Sequence, residues 1–441
     1  MSIYTLRRIL VLLILGGLIY GGWWMYSRRH ELVAMGKGAL EKITIAAGVK
    51  SSATPPPNPT APPPVASAST VAKENAPIGA PTPNASPSPA VTESKPTPAD
   101  PDGALVLDII TSATKKDWLQ AEIERFNQEN KGAYRVETRL IETRDAMQAI
   151  LNGREKPVLW SPGSSVWTAR LVEAYQERNG EVLIDMTDSE RVRTYLRTPI
   201  VFLTTKQKAE FLRPLLAGPD AWKNIGEMGA GTRKTPWGKL RFSHADPLAS
   251  NSGFLTLALM LNDYARRNNL DSSDEKTVSS QNFAHYLRSV EAGLVFDIPA
   301  KEGSSSLTKA FTRDTTLYDF IVTYESSALS ALVENDKLAV IYPEPTVISE
   351  QSVVLVNGVW VTDEQREGAV KFLAFLSSQD SMKNGIAAHF RTTQNSGPLS
   401  LADELKLRSP NGFRQSLTSI ELPRYSALNE AASVWRGMFA R

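Results

Sequence analysis

Hydroxyl-bearing residues recur at four places in this 441-residue chain where an apolar, strand-like run gives way to a helix-like one. They are "ITSATKKDW" with Thr111, Ser112 and Thr114; "LWSPGSSVW" with Ser161, Ser164 and Ser165; "ASNSGF" with Ser250, Asn251 and Ser252; and "VTYESSAL" with Tyr324, Glu325, Ser326 and Ser327. A helix start offers unpaired backbone N–H groups and about half a positive charge. Neighbouring hydroxyls add donors, and Gly163 or Gly253 lets the backbone approach a ligand. Together these can hold an anion with no lysine or arginine. The plainer alternative is that each Ser, Thr or Asn caps its own helix, a common use of those residues. Glu325 points another way, because a carboxylate in such a pocket repels an anion and suits a cation or an amine.

Other chemistries find less support. "GEMGAGTRKT" has the Gly226-to-Gly231 spacing of a phosphate-cradling loop, but Thr232 stands where a lysine should follow and no strand precedes it. The four histidines have no metal-ligand spacing, and the absence of cysteine removes disulfides, thiolate metal sites and cysteine nucleophiles. His244, Asp246 and Ser250 invite comparison with a hydrolytic triad, but no G-x-S-x-G elbow presents the serine. A formal net charge of +2 gives no basic surface for nucleic acid. The expectation is a binding protein without cofactor or metal, not an enzyme.

Strand and helix patterns place the four junctions. "ALVLDII" reads as a buried strand and the segment after it as a helix with Trp118, Leu119, Ile123 and Phe126 on one face. "YRVETRLI", "RDAMQAILNG" and "PVLWS" continue a βαβαβ alternation, which predicts a parallel sheet covered by helices. In such sheets ligands bind at the carboxyl ends of strands. "TPIVFLT" and "DKLAVIYPE" read as further strands, "FLTLALMLNDYARRNNL" as a buried helix and "REGAVKFLAFLSSQDSM" as an amphipathic one. Asn357-Gly358 within "SVVLVNGVWVT" predicts a hairpin with a type I′ turn.

The N-terminal hundred residues are of another kind. Ile9–Tyr26 is an uncharged run of eighteen residues with Tyr20, Trp23, Trp24 and Tyr26 near its end and arginines on both sides. That predicts an uncleaved membrane anchor over residues 1–30. More than half of the 28 prolines lie between Ser51 and Gly103. Residues 31–103 are therefore expected to be a disordered linker, whose Pro-rich part from Ser51 to Gly103 reaches up to about 150 Å at ~3.1 Å per residue.

Five segments carry a resemblance: "LDIITSATKKDWLQAEIERFNQ"; "GREKPVLWSPGSSVWTARL"; "HADPLASNSGFLTLALM"; "VTYESSALSAL" with "KLAVIYPEPT"; and "EQREGAVKFLAFLSSQDSMKNGIAAHFRT". In their order and spacing the chain resembles bacterial extracytoplasmic solute-binding proteins, and among them the type II periplasmic-binding family with its molybdate-like binders. The resemblance implies an α/β fold of two lobes joined by two crossing strands, with a small solute or ion clamped between them, an oxyanion being favoured. Lobe 1 would combine residues 104–201 with 339–441, which includes a C-terminal tail, and lobe 2 would be 202–338. Carried over residue by residue, the ligand contacts would be Ser112, Thr114, Ser164, Ser165, Ser250, Asn251 and Ser252, with Tyr324 and Glu325 as the counterpart of a lobe-2 contact. The implied partner is the permease of an ABC-type transporter, and the implied place is the extracytoplasmic side of the bacterial inner membrane.

The sequence departs from that pattern in its membrane anchor and spacer, in "HFRTTQ" where a Gly-Phe-Arg-Pro-like turn is expected, and in a long tail from Ser400 to Arg441. These features suit an alternative: an envelope sensor or scaffold that grips a protein or peptide partner with the same fold.

Overall fold

A computed structural model of the chain describes residues 103–392 and 412–439. The expected anchor and spacer lie outside the described residues, save for Gly103 at the spacer's end. Among the described residues no helix is long and apolar enough to cross a membrane.

The first half of the chain follows the expected alternation. β1 (Leu105–Thr111) leads through a 3-10 turn at Ala113–Lys115 into α1 (Lys116–Glu129). β2 (Tyr134–Leu140), α2 (Thr143–Leu151), β3 (Leu159–Ser161) and α3 (Ser165–Asn179) follow. β1 pairs in parallel with both β2 and β3. α1 forms because Trp118, Leu119, Ile123 and Phe126 recur at helical spacing, and all four are buried against the sheet. Each such side chain contributes about 1.5–3 kcal/mol by leaving water.

β4 (Val192–Thr205) is longer than its apolar core suggests. Beyond it lie α4 (Lys206–Leu216), α5 (Ala221–Ala230), β5 (Phe242–His244), α6 (Asn251–Asn268), α7 (Glu275–Val278), α8 (Gln281–Val290), α9 (Ile298–Glu302) and α10 (Ser304–Arg313). β6 (Phe320–Tyr324), α11 (Glu325–Glu334), β7 (Leu338–Ile341) and β8 (Ile348–Leu355) come next. α12 (Asp363–Leu376), α13 (Gln379–Ala387), β9 (Arg391–Thr392) and α14 (Tyr425–Phe439) complete the described elements. The sheet order is β2-β1-β3-β8-β4-β6-β5, with β7 and β9 also on β4. The fold is thus mixed α/β, and β8 and β4 insert antiparallel strands that the βαβ pattern did not foretell.

β4 belongs to two half-sheets. Val192–Pro199 pairs with β8, and Ile200–Thr204 pairs with β6. The chain returns between the halves through residues 342–347, where Val347 O accepts from Ile200 N at 2.9 Å and Thr346 Oγ1 donates to Ile200 O at 2.6 Å. Two strands therefore cross side by side at Ile200. These crossings coincide with "TPIVFLTT" and follow directly on "KLAVIYPE".

Three local expectations change. Asn357-Gly358 is not a hairpin turn: neither residue has a positive φ, and the Asn357 amide donates to Leu183 O. Gly358 instead lies under the Trp360 ring, where a Cβ would come within 2.4 Å of the indole. The long amphipathic helix is two helices, because the Ser378 hydroxyl caps a new start at Ser381 N. "GEMGAGTRKT" is the end of α5, closed by left-handed Gly231, and the turn that follows it, not a loop between a strand and a helix.

Candidate functional site

Which of the four hydroxyl-bearing junctions are helix caps? Ser112, Ser164, Ser250 and Tyr324 each stand at an N-cap, and none makes a side-chain capping bond. Elsewhere in the same chain Thr205, Ser280, Asp297, Thr362 and Ser378 cap their helices in the usual way. The four junctions therefore use their side chains for something else.

Part of the answer is a buried knot around Asn251. Its Nδ2 donates to Gly163 O at 3.0 Å and to Tyr324 Oη at 2.9 Å. Its Oδ1 accepts from Ser164 Oγ at 3.0 Å and from Trp167 Nε1 at 2.7 Å. Every hydrogen-bonding position of the amide is filled. Gly163, Ser164 and Trp167 come from the β1 half, whereas Asn251 and Tyr324 come from the β6 half. Gly163 is required here, because a Cβ on it would stand 2.8 Å from Asn251 Nδ2. Tyr324 is buried and also bonds to Thr114 and Ser349, and burial pushes its phenol well above the ordinary value.

Lys115 lies at the edge of the knot, 1% exposed. Its Nζ donates to Pro162 O and to Gln351 Oε1, both at 2.9 Å. An ammonium has three donors, so one remains for a further oxygen. Burial among neutral acceptors lowers its pKa to about 7, against the opposing pull of Glu142, itself raised by burial. From pH about 7 up to its ordinary value of 10.5, the unfolded chain holds a proton that the folded chain lacks. Stability is therefore expected to climb with pH across that window, by at most about 1.4 kcal/mol per unit, and to lose this contribution as pH falls through 7. Urea unfolding of the protein and of Lys115→Met at pH 7 and 9 checks this: only the former should gain.

Beside Thr114 and Lys115 opens a cleft of about 410 Å³. Its other wall is built from α10 and α11 of the β6 half, with Ser304, Thr308, Ser326 and Ser327 facing the cleft, while His389 and Phe390 close one end. Lys115, Lys116 and Lys309 outnumber Asp117 and Glu334 along it. α10 begins at Ser304 with Gly303 as its N-cap and no side-chain cap, so its first amides are not spoken for by a cap. The Ser326 amide, by contrast, donates to Thr198 Oγ1 on β4.

The expected site residues thus divide. Thr114, Ser164, Asn251 and Tyr324 meet in the knot, and Thr114 also lines the cleft. Ser112 is buried and Ser165 half-buried next to them in sequence. Ser250 and Ser252 bond to each other at 3.0 Å, with Ser250 lying near Gly303. Glu325 is fully buried and turned to Arg391, which donates to its two oxygens at 2.7 and 2.6 Å, and to the Tyr342 hydroxyl. Its charge is neutralised inside the protein. His244 faces Glu291 and Ala245 O, not Ser250. Sequence reading passed over Lys115, His389 and the Ser304–Thr308 wall, although "GSSSLTKAF" is one more serine-rich helix start. Among the described residues no group of three or more His, Cys, Asp or Glu gathers to hold a metal.

A family profile described as bacterial extracellular solute-binding protein matches residues 107–383. None of the curated proteins matches the chain. Solved structures do. The sulfate-binding protein SubI from Mycobacterium tuberculosis superposes with a TM-score of 0.50 at 18% identity, over 75% of this chain and 98% of its own. A structure described as a spermidine/putrescine ABC transporter from Listeria monocytogenes gives 0.53 at 13%, over 76% and 99%. Iron-bound HitA from Pseudomonas aeruginosa gives 0.51 at 12%, over 76% and 99%. At such identities these likenesses show the fold alone.

Proposed function

This chain belongs to the family of bacterial extracellular solute-binding proteins, and we propose that it captures a small oxyanion in the cleft between its halves for an ABC-type transporter. The carrying observation is that helix starts from both halves, α1 at Thr114-Lys115 and α10 and α11 at Ser304 and Ser326, face one cleft with a buried lysine in its wall. Helix N-termini favour negative charge, and a cation in a poorly hydrated wall adds a charge-assisted bond of about 1.5–3 kcal/mol. Neutralisation of Glu325 by Arg391 removes the objection that a free carboxylate would raise. Ser112, Ser165, Ser250 and Ser252 are read as support for these starts. The sulfate binder among similar folds accords with an anion, whereas the iron and polyamine binders show that the fold admits other cargo. Molybdate-like binding is one form of the same proposal. We read the protein as a non-enzymatic, single-pass protein of the inner membrane, with the globular part outside the cytoplasm, tethered by Ile9–Tyr26 through the Pro-rich spacer.

Thermal unfolding of the full chain with sulfate, phosphate, molybdate, ferric iron, spermidine and sugars tests this. A ligand present at 100 times its Kd stabilises by about 2.7 kcal/mol. An oxyanion should give such a rise and the others none; a response to spermidine or iron alone would sink the reading. An anion raises the pKa of Lys115, so binding takes up a proton when the free amine is neutral. Affinity should therefore weaken as pH rises above about 7, and Lys115→Met should remove both affinity and pH dependence.

A second reading is favoured by the knot at Asn251, whose hydrogen-bonding positions are all taken by protein groups that join the halves. An envelope sensor or scaffold that grips a protein or peptide would use the same closure. Stoichiometric recovery of an envelope protein with the purified chain, together with no response to any solute, would favour it.

A further inference from the structure

The C-terminal segment touches both halves and the crossing between them. Thr418 O accepts from Thr346 N at 2.9 Å and Ile420 N donates to Thr346 O at 2.8 Å, so the segment is stitched to the second crossing strand. The Tyr425 ring then lies 5.5 Å from Trp167 of the β1 half and 6.2 Å from Phe254 of the β6 half. Arg170 of the β1 half stands over Tyr425, and Arg144 of the same half donates to Asn429 Oδ1 at 3.2 Å. Ala427, Leu428, Ala431, Ala432 and Trp435 are buried, which is the apolar stripe of a docked helix. Near its far end Trp435 Nε1 donates to both oxygens of Glu291 at 2.8 Å in the β6 half.

From this geometry we infer that α14 is a strap holding the two halves in the closed arrangement, latched by Trp435 onto the buried Glu291. The strap acts on how far the halves part, whatever the cleft holds, and so goes beyond the choice of solute.

Glu291 is also held by His244, at the end of β5. Both ring nitrogens face acceptors, Nδ1 toward Ala245 O at 2.8 Å and Nε2 toward Glu291 Oε1 at 3.0 Å. The Glu291 carboxyl is thus met by the His244 ring on one side and the indole N–H on the other. Among charged groups Asp246 also acts on the ring; Phe242 and Trp435 pack near it. Burial opposes the imidazolium, but bonding to Glu291 and Ala245 O outweighs it and holds the His244 pKa above its ordinary 6.5. A raised pKa gives a contribution fully present below 6.5 and lost as pH rises through the folded value. The His244 contact to the latch is therefore strongest below pH 6.5 and weakens as pH rises through the folded value.

The chain has no cysteine, so Gln120→Cys on α1 and Arg313→Cys on α10, both exposed, allow a spin-label distance across the halves in the full chain. With no ligand added, the otherwise unchanged chain should give one narrow distribution. Trp435→Phe keeps an aromatic ring, smaller than the indole, and removes the donor, and Glu291→Gln replaces the carboxyl by an amide of the same shape. Each should add a longer-distance population and speed amide exchange across α14 by about tenfold or more, the effect of losing one charge-assisted bond. Exchange that quickens while the distances stay fixed would show that α14 is no strap. Exchange unchanged in both variants would show that Glu291 is no latch. Because no solute enters these measurements, failure of the anion reading leaves them untouched, and their failure leaves the melting shift untouched.

Discussion

Asn251→Ala should lower stability by about 3–5 kcal/mol, read as a shift in urea midpoint at constant slope. The alanine keeps the helix start but removes four hydrogen bonds at one point. Not every partner is orphaned. Gly163 O still accepts from Ser349 and Gln351, and Tyr324 still has Thr114 and Ser349. Ser164 Oγ and Trp167 Nε1, both in buried residues, have no other hydrogen-bond partner among the described residues and would face a cavity. Leaving such groups unmet costs about 1–3 kcal/mol each, and the vacated amide volume adds to it. Gly163→Ala should produce a smaller loss of the same kind, since its Cβ intrudes on the pinned amide. A loss under about 1 kcal/mol for Asn251→Ala would mean that the two halves are not held here, since losing even a plain helix N-cap costs about that much.

Arg391→Met is expected to be at least as damaging, about 3–5 kcal/mol, because it strands Glu325. The carboxylate is fully buried, and its partners are the guanidinium and the Tyr342 hydroxyl. The same guanidinium donates to Gln415 O and Arg414 O, so its loss also frees the start of the C-terminal segment. Adding Glu325→Gln should restore much of the stability, since a neutral amide can accept from Tyr342 without a counter-ion. A double variant no better than the single would show that the damage lies in the lost backbone contacts. Burial first, and then the adjacent Glu325 carboxylate, hold the Tyr342 phenol far above its ordinary value, while Arg391 pulls the other way.

The fold was legible where one physical rule decided it. The 3.6-residue spacing of Trp118, Leu119, Ile123 and Phe126 placed α1, and short apolar runs placed β1, β2 and β3. The junctions at Ser164 and Asn251 were visible because polar residues at the mouth of an apolar run need a reason. What they touch was not visible, because Asn251 meets Ser164 across 87 positions of sequence. The hydroxyl-bearing helix starts suggested an anion site free of lysine, whereas buried Lys115 lines the cleft, hidden in the sequence by its resemblance to the exposed Lys116 next to it. Glu325 looked like a ligand for a cation because nothing local announces Arg391, 66 residues away. The antiparallel neighbours of β4 also follow from pairings that no local pattern encodes.

The strand shared by both half-sheets has a mechanical consequence. Pro199 and Ile200 mark where β4 changes partner from β8 to β6, and a shift of register already lies between Thr194 and Leu196. A continuous backbone without a slack joint behaves as a leaf spring, which stores work when flexed and returns it on release. Any parting of the two sheets would then have to twist the paired backbone at Ile200, so the stiffness of these two segments adds to whatever the side chains between the sheets contribute.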